Sequence, residues 1–301
     1  VMRISTSWIF QQGVNAMLDR QTQLANTQQQ LATGQRILNP SDDPSASTRI
    51  LELDQLVDTT QQYQRNSNFA ETRLNLEETV LSGVGDILQR VRELAVQAIN
   101  DTLTVDDRQA IAIEVRTNLD GLLELANSKD ATGEYLFSGN KTGTRAFSDN
   151  GGGNFAYNGD QGVRNLKIGP TRNVSVGDAG DNVFMKVDDG AGGVASMFEA
   201  LYDFAVDLDA NNPSGITLTR LDSAIGEVLD TRASIGARLN SIDSQRNMND
   251  SFDLMMQENR STLEDLDYTE AISRFERQML ALQASQQSFV KIQGLSLFNY
   301  L

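Results

Sequence analysis

Apolar residues recur at seven-residue intervals through much of the chain. One series lies between residues 45 and 169, an interval without proline, and consists of Leu74, Leu81, Leu88 and Ala95 with Val84, Val91 and Ala98 between them. This alternation is the pattern of helices that pack side by side along one apolar face. The spacing therefore predicts a long helix in a bundle or coiled coil.

Two further stretches predict helices that face the same core. The first spans residues 106–126, and its apolar residues are Ile111, Val115, Leu119, Leu122 and Leu123. The second runs through Leu221, Ile225, Val228, Ile235, Leu239 and Ile242 and continues through Phe252, Met256, Leu263 and Leu266. Polar residues interrupt this second series at Arg232, Arg246, Asn249 and Asn259. They either fix the register of a buried seam or mark a seam that is partly exposed, and the sequence leaves both interpretations open.

The centre of the chain has a different composition. Of the 23 glycines, 14 lie between Gly133 and Gly193. The stretch "NFAYNGDQGVRNLKIG" holds short extended runs on both sides of the Asn158-Gly159 pair, which is a hairpin signal, and "NVSVG" follows it. These features predict a small antiparallel β insertion that lets the helical segments before and after it pack together.

The N-terminal segment carries a weaker seam. Met17, Leu24, Leu31 and Leu38 are seven residues apart, but the alternate positions hold Gln21, Gln28 and Gln35. Burying four such side chains contributes roughly 6–12 kcal/mol, whereas fixing the backbone costs about 1–2 kcal/mol for each residue. Because nucleation of an isolated helix is also unfavourable, we expect this helix to need a partner.

The C-terminal segment offers that partner. Its richer seam consists of Tyr268, Phe275, Leu282 and Phe289 with Ile272 and Met279 between them. An ordinary core helix would show the same pattern, but the glutamine-rich segment at the opposite end favours a surface completed by assembly. The predicted contact residues of this surface are Met17, Leu24, Leu31, Ile272, Phe275, Met279, Leu282 and Phe289.

The stretch "RILNPSDDPSAS" at 36–47 holds two of the four prolines and predicts a joint between two helical layers. Pro40 disfavours the helical conformation for the residue before it, so the first helix should end near Leu38. Pro44 suits the first position of the next helix, where Asp43 can cap the free amides and Asp42 adds a favourable charge. The predicted joint consists of Asn39, Pro40, Asp42, Asp43 and Pro44.

A matching break is expected opposite this joint, on the returning segment. The seam changes phase within "LEDLDYTE", where Asp267 and Glu270 have the spacing of a capping box. The predicted fold class is therefore mainly α, a long antiparallel helical bundle or coiled coil formed by the N- and C-terminal segments, with a small antiparallel β insertion. Its parts are a terminal coiled-coil layer (1–39 and 271–301), a helical bundle layer (40–137 and 191–270) and the insertion (138–190).

Composition excludes several classes of function. Without Cys or His, thiolate chemistry, nucleophile–imidazole pairs and zinc sites built on these residues are excluded, and we expect no cofactor and no metal. The formal charge of −16 argues against a nucleic-acid partner, because duplex binding depends on Lys and Arg. No segment has the length and apolarity of a membrane span or a signal peptide, so we expect no membrane association and, if the chain is exported, another route.

Two functions outside structural assembly stay open. Asp178, Asp181, Asp188 and Asp189 lie close together in the sequence and could bind a hard cation or share acid–base catalysis in an enzyme. Their spacing matches no loop template, and a solvated turn is the simpler interpretation in so acidic a chain. A cytoplasmic coiled-coil adaptor is the other alternative, since composition alone permits it.

Four stretches carry a family resemblance. In chain order, "LATGQRILNPSDDPSAS", "GEYLFSGNKTGTRAF", "ASIGARLNSID" and "DYTEAISRFERQMLALQASQQSFVKIQGLSLF" resemble motifs of the flagellin superfamily. The resemblance covers about residues 1–139 and 215–301, and "NPSDDP" is similar to the hook-associated members rather than to filament flagellins.

The resemblance implies a structural subunit of the bacterial flagellum without enzymatic activity, placed as an adaptor in a ring at the junction between hook and filament. It implies that the chain is exported unfolded through the flagellar type III apparatus, without a cleavable signal peptide, and is extracellular. The implied partners are another hook-associated junction protein, flagellin, neighbouring copies of the chain and an export chaperone. The alternative within the family is a filament flagellin with a small outer domain.

Overall fold

The structure, a computed structural model, describes residues 3–100, 103–189 and 192–298. Its helices in these ranges are α1 (Arg3–Thr33), α2 (Pro44–Ala98), α3 (Val105–Ala126), α4 (Gly180–Phe184), α5 (Met197–Asp209), α6 (Ile216–Glu264) and α7 (Tyr268–Phe298). The strands are β1 (Phe147–Asp149), β2 (Phe155–Tyr157), β3 (Asn165–Lys167), β4 (Asn173–Ser175), β5 (Val187–Asp188) and β6 (Val194–Ala195). The mainly α prediction with a small β insertion is confirmed. Among the helices described here, none combines the length and apolarity needed to cross a membrane.

The chain divides into two compact units. Residues 60–251 form the central unit, and residues 1–59 with 252–301 form the terminal unit. The three-part division expected from the sequence stays a prediction, and residues 190 and 191, at the expected end of the insertion, lie outside the described ranges.

The core of the central unit is built on the predicted seams. All seven residues of the seam in α2, from Leu74 to Ala98, are fully buried. Helix α3 begins next to the predicted boundary because Thr104 caps it: the Thr104 hydroxyl accepts from the Asp107 amide at 3.2 Å, and the Asp107 carboxylate accepts from the Thr104 amide at 3.0 Å. The prediction of a buried bundle around these helices is confirmed.

The seam in α6 is only partly buried, and its polar interruptions have different roles. Within the central unit its residues Leu221, Val228, Ile235 and Ile242 are buried, whereas Phe252 in the terminal unit is 42% exposed, so the interpretation of a partly exposed seam holds at that position. Arg232 and Arg246 are half-buried and form ion pairs with Glu78 and Glu71 of α2. Asn249 is buried, whereas Asn259 is exposed.

Asn249 connects α6 to the β insertion. Its side-chain amide donates to the carbonyl of Ile168 at 2.9 Å, and its oxygen accepts from the Gln245 amide at 2.9 Å. A buried polar group is tolerated when its hydrogen bonds are satisfied in this way. Two interpretations of the polar interruptions were open. For Asn249, the interpretation as a buried polar residue holds, and this residue fixes the contact of α6 with Ile168.

The insertion consists of two-stranded antiparallel sheets that pair β1 with β2, β3 with β4 and β5 with β6. The hairpin expected at Asn158-Gly159 is wrong. This pair follows β2, and β2 pairs with the preceding strand β1 and not with the following strand β3. Gly151, Gly152 and Gly153 form that turn with positive φ angles of 83°, 67° and 83°, a conformation that favours glycine. Three adjacent glycines thus set the strand pairing in place of the Asn-Gly signal.

Aromatic rings join the insertion to α5. The ring centroids of Phe147 in β1 and Phe198 in α5 are 5.1 Å apart, and each of these rings also packs on Phe184, at 5.3 and 5.8 Å respectively. Rings at these distances add favourable packing to the apolar area that they bury. The insertion is therefore part of the central core.

Candidate assembly interface

Helices α1 and α7 of the terminal unit pack against each other along their length. Near the start of α1, the ring of Phe10 lies 5.0 Å from the ring of Phe289. Gly13 follows one turn later, and a Cβ atom there would lie 3.4 Å from a ring carbon of Phe289. The backbone of α1 at Gly13 thus lies within van der Waals range of the Phe289 ring.

The predicted contact residues lie along this pair but are incompletely covered. Met17, Leu24, Leu31, Phe275, Leu282 and Phe289 are half-buried. Ile272 and Met279 are 48% and 39% exposed. In a finished core such side chains would be buried, because each contributes roughly 1.5–3 kcal/mol when it leaves water. The pair therefore presents apolar surface along both of its helices.

Further apolar residues of the pair lie outside the seven-residue register and were missed from the sequence. They are exposed, and the set comprises Trp8, Leu18, Leu280 and Val290. The signal was present in the sequence as apolar residues on the flanks of a glutamine-rich seam. Of the glutamines that interrupt the α1 seam, Gln21 and Gln28 are exposed to solvent.

Helix α1 ends five residues before the predicted end at Leu38. Its last residue is Thr33, and Gly34 follows with a φ of +73°, the left-handed conformation that commonly terminates helices. The prediction relied on Pro40 and overlooked this glycine. The correction moves the start of the joint to Gly34, which belongs to the "TGQR" part of the quoted motif.

The two breaks lie opposite each other, as expected. A short antiparallel bridge joins Gln35 to Asp265, with the Arg36 amide donating to the carbonyl of Glu264 at 2.7 Å and the Leu266 amide donating to the carbonyl of Gly34 at 2.9 Å. These hydrogen bonds satisfy backbone groups that the ends of α1 and α6 leave free. Helices α1 and α6 therefore both end at one hydrogen-bonded bridge.

Two side chains add hydrogen bonds to this bridge. The Gln35 amide donates to the Glu264 carboxylate at 2.6 Å, and the Arg36 guanidinium donates to the carbonyl of Leu263 at 2.8 Å. Neither residue was among the predicted joint residues. Gln35, which was predicted only as a polar interruption of the seam, thus has a specific structural role.

Two aspartates of the predicted joint have different hydrogen-bond partners. Helix α2 begins at Pro44, and the carboxylate of Asp43 accepts from the Ala46 amide at 3.0 Å as the helix cap. That hydrogen bond, assisted by the Arg36 guanidinium, lowers the pKa of Asp43 below its usual value. Asp42 turns the other way and accepts from the amides of Leu38 and Asn39, so it closes the loop around Pro40 rather than serving the helix.

At the return break only the Asp267 half of the expected capping box is present. The Asp267 carboxylate accepts from the amides of Thr269 and Glu270 at 2.8 and 3.1 Å, at the start of α7. The Glu270 side chain does not complete a capping box, because it accepts from Arg274 one turn later. One carboxylate therefore caps each of the two helices that leave the joint.

The aspartates that lie close together in the sequence of the insertion bind different partners. Asp178 pairs with Arg238, Asp181 pairs with Lys186, and Asp189 accepts from the Gly193 amide at 2.8 Å. Among the described residues there is no group of three or more acidic side chains that could hold a metal ion. The calcium-binding alternative therefore has no site in this part of the chain.

Comparison with known proteins agrees with the helical framework. Models of the bacterial flagellin N-terminal and C-terminal helical regions match residues 4–142 and 218–301. The chain belongs to the flagellin family. It is 33% identical to flagellar hook-associated protein 3 of Escherichia coli strain K12, with 99% of each chain covered.

Within the flagellin family, flagellar hook-associated protein 3 of Escherichia coli matches a larger share of the chain than a filament protein does. The flagellar filament 30.7 kDa core protein of Treponema maltophilum is 26% identical and covers 70% of this chain. The crystal structure of flagellar hook associated protein-3 from Legionella pneumophila has the same fold, with a TM-score of 0.67, 23% identity and coverage of 71% of this chain and 98% of that one. The resemblance to the flagellin superfamily is confirmed, and a hook-associated structural protein is favoured over a filament flagellin.

Proposed function

We propose that this chain is a structural adaptor at the junction between the flagellar hook and the filament, and that it assembles through its terminal helices. The observation that carries the proposal is the incomplete burial of the α1–α7 pair in a member of the flagellin family. Apolar residues that a single copy leaves half-exposed become buried when neighbouring subunits pack against them.

The assembly contacts in this proposal lie on both helices. Met17, Leu24 and Leu31 of α1 and Ile272, Phe275, Met279, Leu282 and Phe289 of α7 supply the apolar surface. Binding of neighbours would stabilise the ordered pair by mass action, because they bind the folded helices and not the unfolded segments. The free energy of assembly thus offsets the conformational entropy that α1 and α7 lose when they become ordered.

The joint has a separate role in the proposal. Asn39, Pro40, Asp42, Asp43 and Pro44 hold the loop that connects the terminal coiled-coil layer (1–39 and 271–301) to the helical bundle layer (40–137 and 191–270). Opposite this loop, the carbonyl of Glu264 anchors the returning segment. The joint would therefore keep the two layers in register while the subunit assembles.

The proposed partners are components of the same appendage. Another hook-associated junction protein would lie on the hook side, flagellin on the filament side, and further copies of the chain beside it in a ring. An export chaperone would bind the terminal segments before the chain passes through the flagellar type III apparatus to the extracellular flagellum. The role requires no catalysis, cofactor, metal, membrane or nucleic acid.

Shear fractionation tests the location. Cells that produce the chain are sheared, and the chain is quantified by immunoblot in the detached appendages and in the lysate. We expect it in the appendages, because a junction protein travels with the filament. Detection in the lysate alone would favour the cytoplasmic coiled-coil adaptor and contradict the proposal.

Self-assembly separates the junction adaptor from a filament flagellin. The purified chain is incubated with and without filament seeds and inspected by electron microscopy and light scattering. We expect no filaments from the chain alone, since a junction protein adds to a preceding partner. Growth of long filaments from seeds would favour the flagellin alternative.

Hydrogen exchange tests the coupled ordering. In the monomer, amides of α1 and α7 should exchange much faster than those of α2 around Leu81, because fewer buried contacts oppose local opening. In isolated appendages the exchange of α1 and α7 should slow. Equal protection of both regions in the monomer would remove this part of the proposal.

A further inference from the structure

A basic cleft lies between α1 and α7, on the same pair as the apolar surface. Its volume is about 240 Å³, and its lining residues are Arg20, Gln23, Arg274, Arg277, Gln278 and Ala281. Three of these six residues carry a guanidinium group. Like charges that lie close together repel each other, and a negatively charged group placed among them relieves that repulsion.

The positive charge of the cleft is poorly compensated. Arg274 pairs with Glu270 at 3.1 Å on its own helix. Arg20 and Arg277 form no ion pair with any residue in the part of the chain that the structure describes. Their neighbours in sequence are acidic, Asp19 and Glu276, but adjacent residues of an α-helix point about 100° apart, so these carboxylates do not share the direction of the two arginines.

A second polar group points to an occupant. The side-chain oxygen of Gln278 is buried and has no hydrogen-bond donor among the described residues. Such a group is normally paired, because an unsatisfied buried acceptor is costly. The matching occupant therefore offers acceptor atoms to the guanidinium groups and a donor to Gln278.

A peptide segment with an acidic side chain meets both requirements. Its carboxylate can accept from guanidinium groups, often through two parallel hydrogen bonds, and a neighbouring backbone N–H can donate to the Gln278 oxygen. An anion without a proton to donate, such as sulfate, would satisfy the arginines and leave Gln278 unpaired. The chemistry of the cleft thus favours a protein carboxylate.

The charge distribution of the chain indicates the source of that carboxylate. Helices α1 and α7 together carry five Lys or Arg against three Asp or Glu, although the whole chain has a formal charge of −16. The surplus of acidic residues therefore lies outside this pair. The rest of another copy of the same chain therefore carries the negative charge that complements the basic cleft.

We propose that the Arg20–Arg274–Arg277 cleft receives an acidic side chain of a neighbouring copy of this chain. The inference rests on the proposed function, because the adaptor ring brings copies side by side. It adds a charged, orientation-specific contact to an otherwise apolar assembly surface, and such contacts fix register between partners.

Cross-linking in isolated appendages tests the occupant. The substitution R277K preserves the charge and introduces an amine that a carbodiimide couples to a carboxylate in direct contact. We expect a covalent dimer of the chain that forms with R277K and not with the unsubstituted chain, and peptide mass spectrometry should locate the bond between position 277 and an Asp or Glu. The control R49K places a lysine on an exposed part of α2 in the terminal unit and should give no dimer.

Each outcome of this experiment bears on the proposal. A dimer of two copies through position 277 supports it. A product that joins the chain to a different flagellar protein, or no new product, overturns it while the chain's presence in the appendages keeps the junction function intact. Absence of the chain from the appendages overturns both.

Removal of the charges provides an independent test. The combined variant R20Q, R274Q and R277Q should be retained about tenfold less than the unsubstituted chain when isolated appendages are washed. The control K291Q removes one positive charge from the exposed surface of α7 outside the cleft and should leave retention unchanged. Equal retention of all three forms overturns the proposal, and circular dichroism of the purified variants verifies that they fold.

Discussion

The central unit and the α1–α7 pair use the same seven-residue spacing with different results. In α2, the alternate positions of the seam hold Val84 and Val91, and the whole seam is fully buried. In α1, the alternate positions hold Gln21 and Gln28, and the seam residues Leu24 and Leu31 stay half-buried. The spacing makes a helix amphipathic, whereas the residues at the alternate positions decide whether its own chain can complete the core.

The largest contrast is expected between matched leucine substitutions in the two regions. L81A should lower the free energy of unfolding by about 2–5 kcal/mol, because it leaves a cavity in a tightly packed core. L24A should cost the monomer less than about 1 kcal/mol, since that side chain is already half in water. Urea denaturation followed by circular dichroism measures both.

Among correctly folded molecules, L24A should reduce incorporation into appendages more than L81A does, which is the reverse of their effects on stability. L24A removes assembly surface and should reduce the amount of chain in sheared appendages, whereas the residual folded L81A keeps that surface intact. Similar losses of stability for the two variants would contradict the distinction between the fully buried seam of α2 and the half-buried seam of α1.

The pH dependence of stability should arise in the central unit, at Glu77. This side chain is 1% exposed and accepts from the Asp178 amide at 3.1 Å through one oxygen. Burial, assisted by the charge of Asp178 and opposed by Arg238 and Arg73, raises the pKa of Glu77 to about 8 from its ordinary value of 4.5. The folded state therefore holds a proton that the unfolded state releases near pH 4.5.

The sign of this effect follows from proton linkage. Because the pKa is higher in the folded state, its stabilising contribution is complete below about pH 4.5 and is lost as the pH rises towards about 8. E77Q is permanently neutral and should escape a loss on the order of 2–4 kcal/mol between these pH values. Denaturation curves from pH 5 to 9 measure the difference, and E52Q, on the exposed surface of α2, is the control. Parallel curves for E77Q and the unsubstituted chain would contradict the assignment.

The contact of α6 with the insertion should be the next in size. N249A leaves the carbonyl of Ile168 and the amide of Gln245 without their partner and should cost about 1–3 kcal/mol. N259A removes an exposed amide from the same helix in the terminal unit and should change stability by no more than about 0.5 kcal/mol. Thermal denaturation of the two variants compares them directly. Equal effects would mean that Asn249 does not secure the insertion.

The smallest effect is expected at the joint. G34A forces a side chain into a φ of +73° and places its Cβ 2.8 Å from the Tyr268 hydroxyl, so it should destabilise the end of α1 by about 1–2 kcal/mol. G236A lies within α6, where a Cβ would meet no described atom within 4 Å, and should instead stabilise by up to about 1 kcal/mol. Hydrogen exchange at residues around each site provides the readout. A stabilising G34A would show that the joint does not depend on the left-handed residue.

Several features followed from local signals alone. The buried seam around Leu81 was predictable because burial on a helix repeats with the helical period. The start of α2 was predictable because Pro44 and Asp43 have strong positional preferences at a helix start. The end of α1, predicted at Leu38, also has a local signal, because Gly34 terminates the helix before Pro40 can act.

Other features depended on contacts between distant residues. The Asn158-Gly159 pair has the chemistry of a hairpin turn, yet β2 pairs with β1, where the ring of Phe147 packs on Phe198 of α5. The role of Gln35 was hidden because its partner, Glu264, is 229 residues away in sequence. The basic cleft was missed for the same reason, since Arg20 and Arg277 meet only when α1 and α7 pack.

The chain's own pattern of residues is sufficient for its helices and the weakness of its terminal seam, because these depend on neighbours within one or two turns. Its motifs are sufficient for its family. Packing alone specifies how far each apolar side chain is covered, which oxygen of Glu77 is bonded, and where unpaired arginines gather. Those properties depend on the positions of atoms that are far apart along the chain, and no local periodicity encodes such distances.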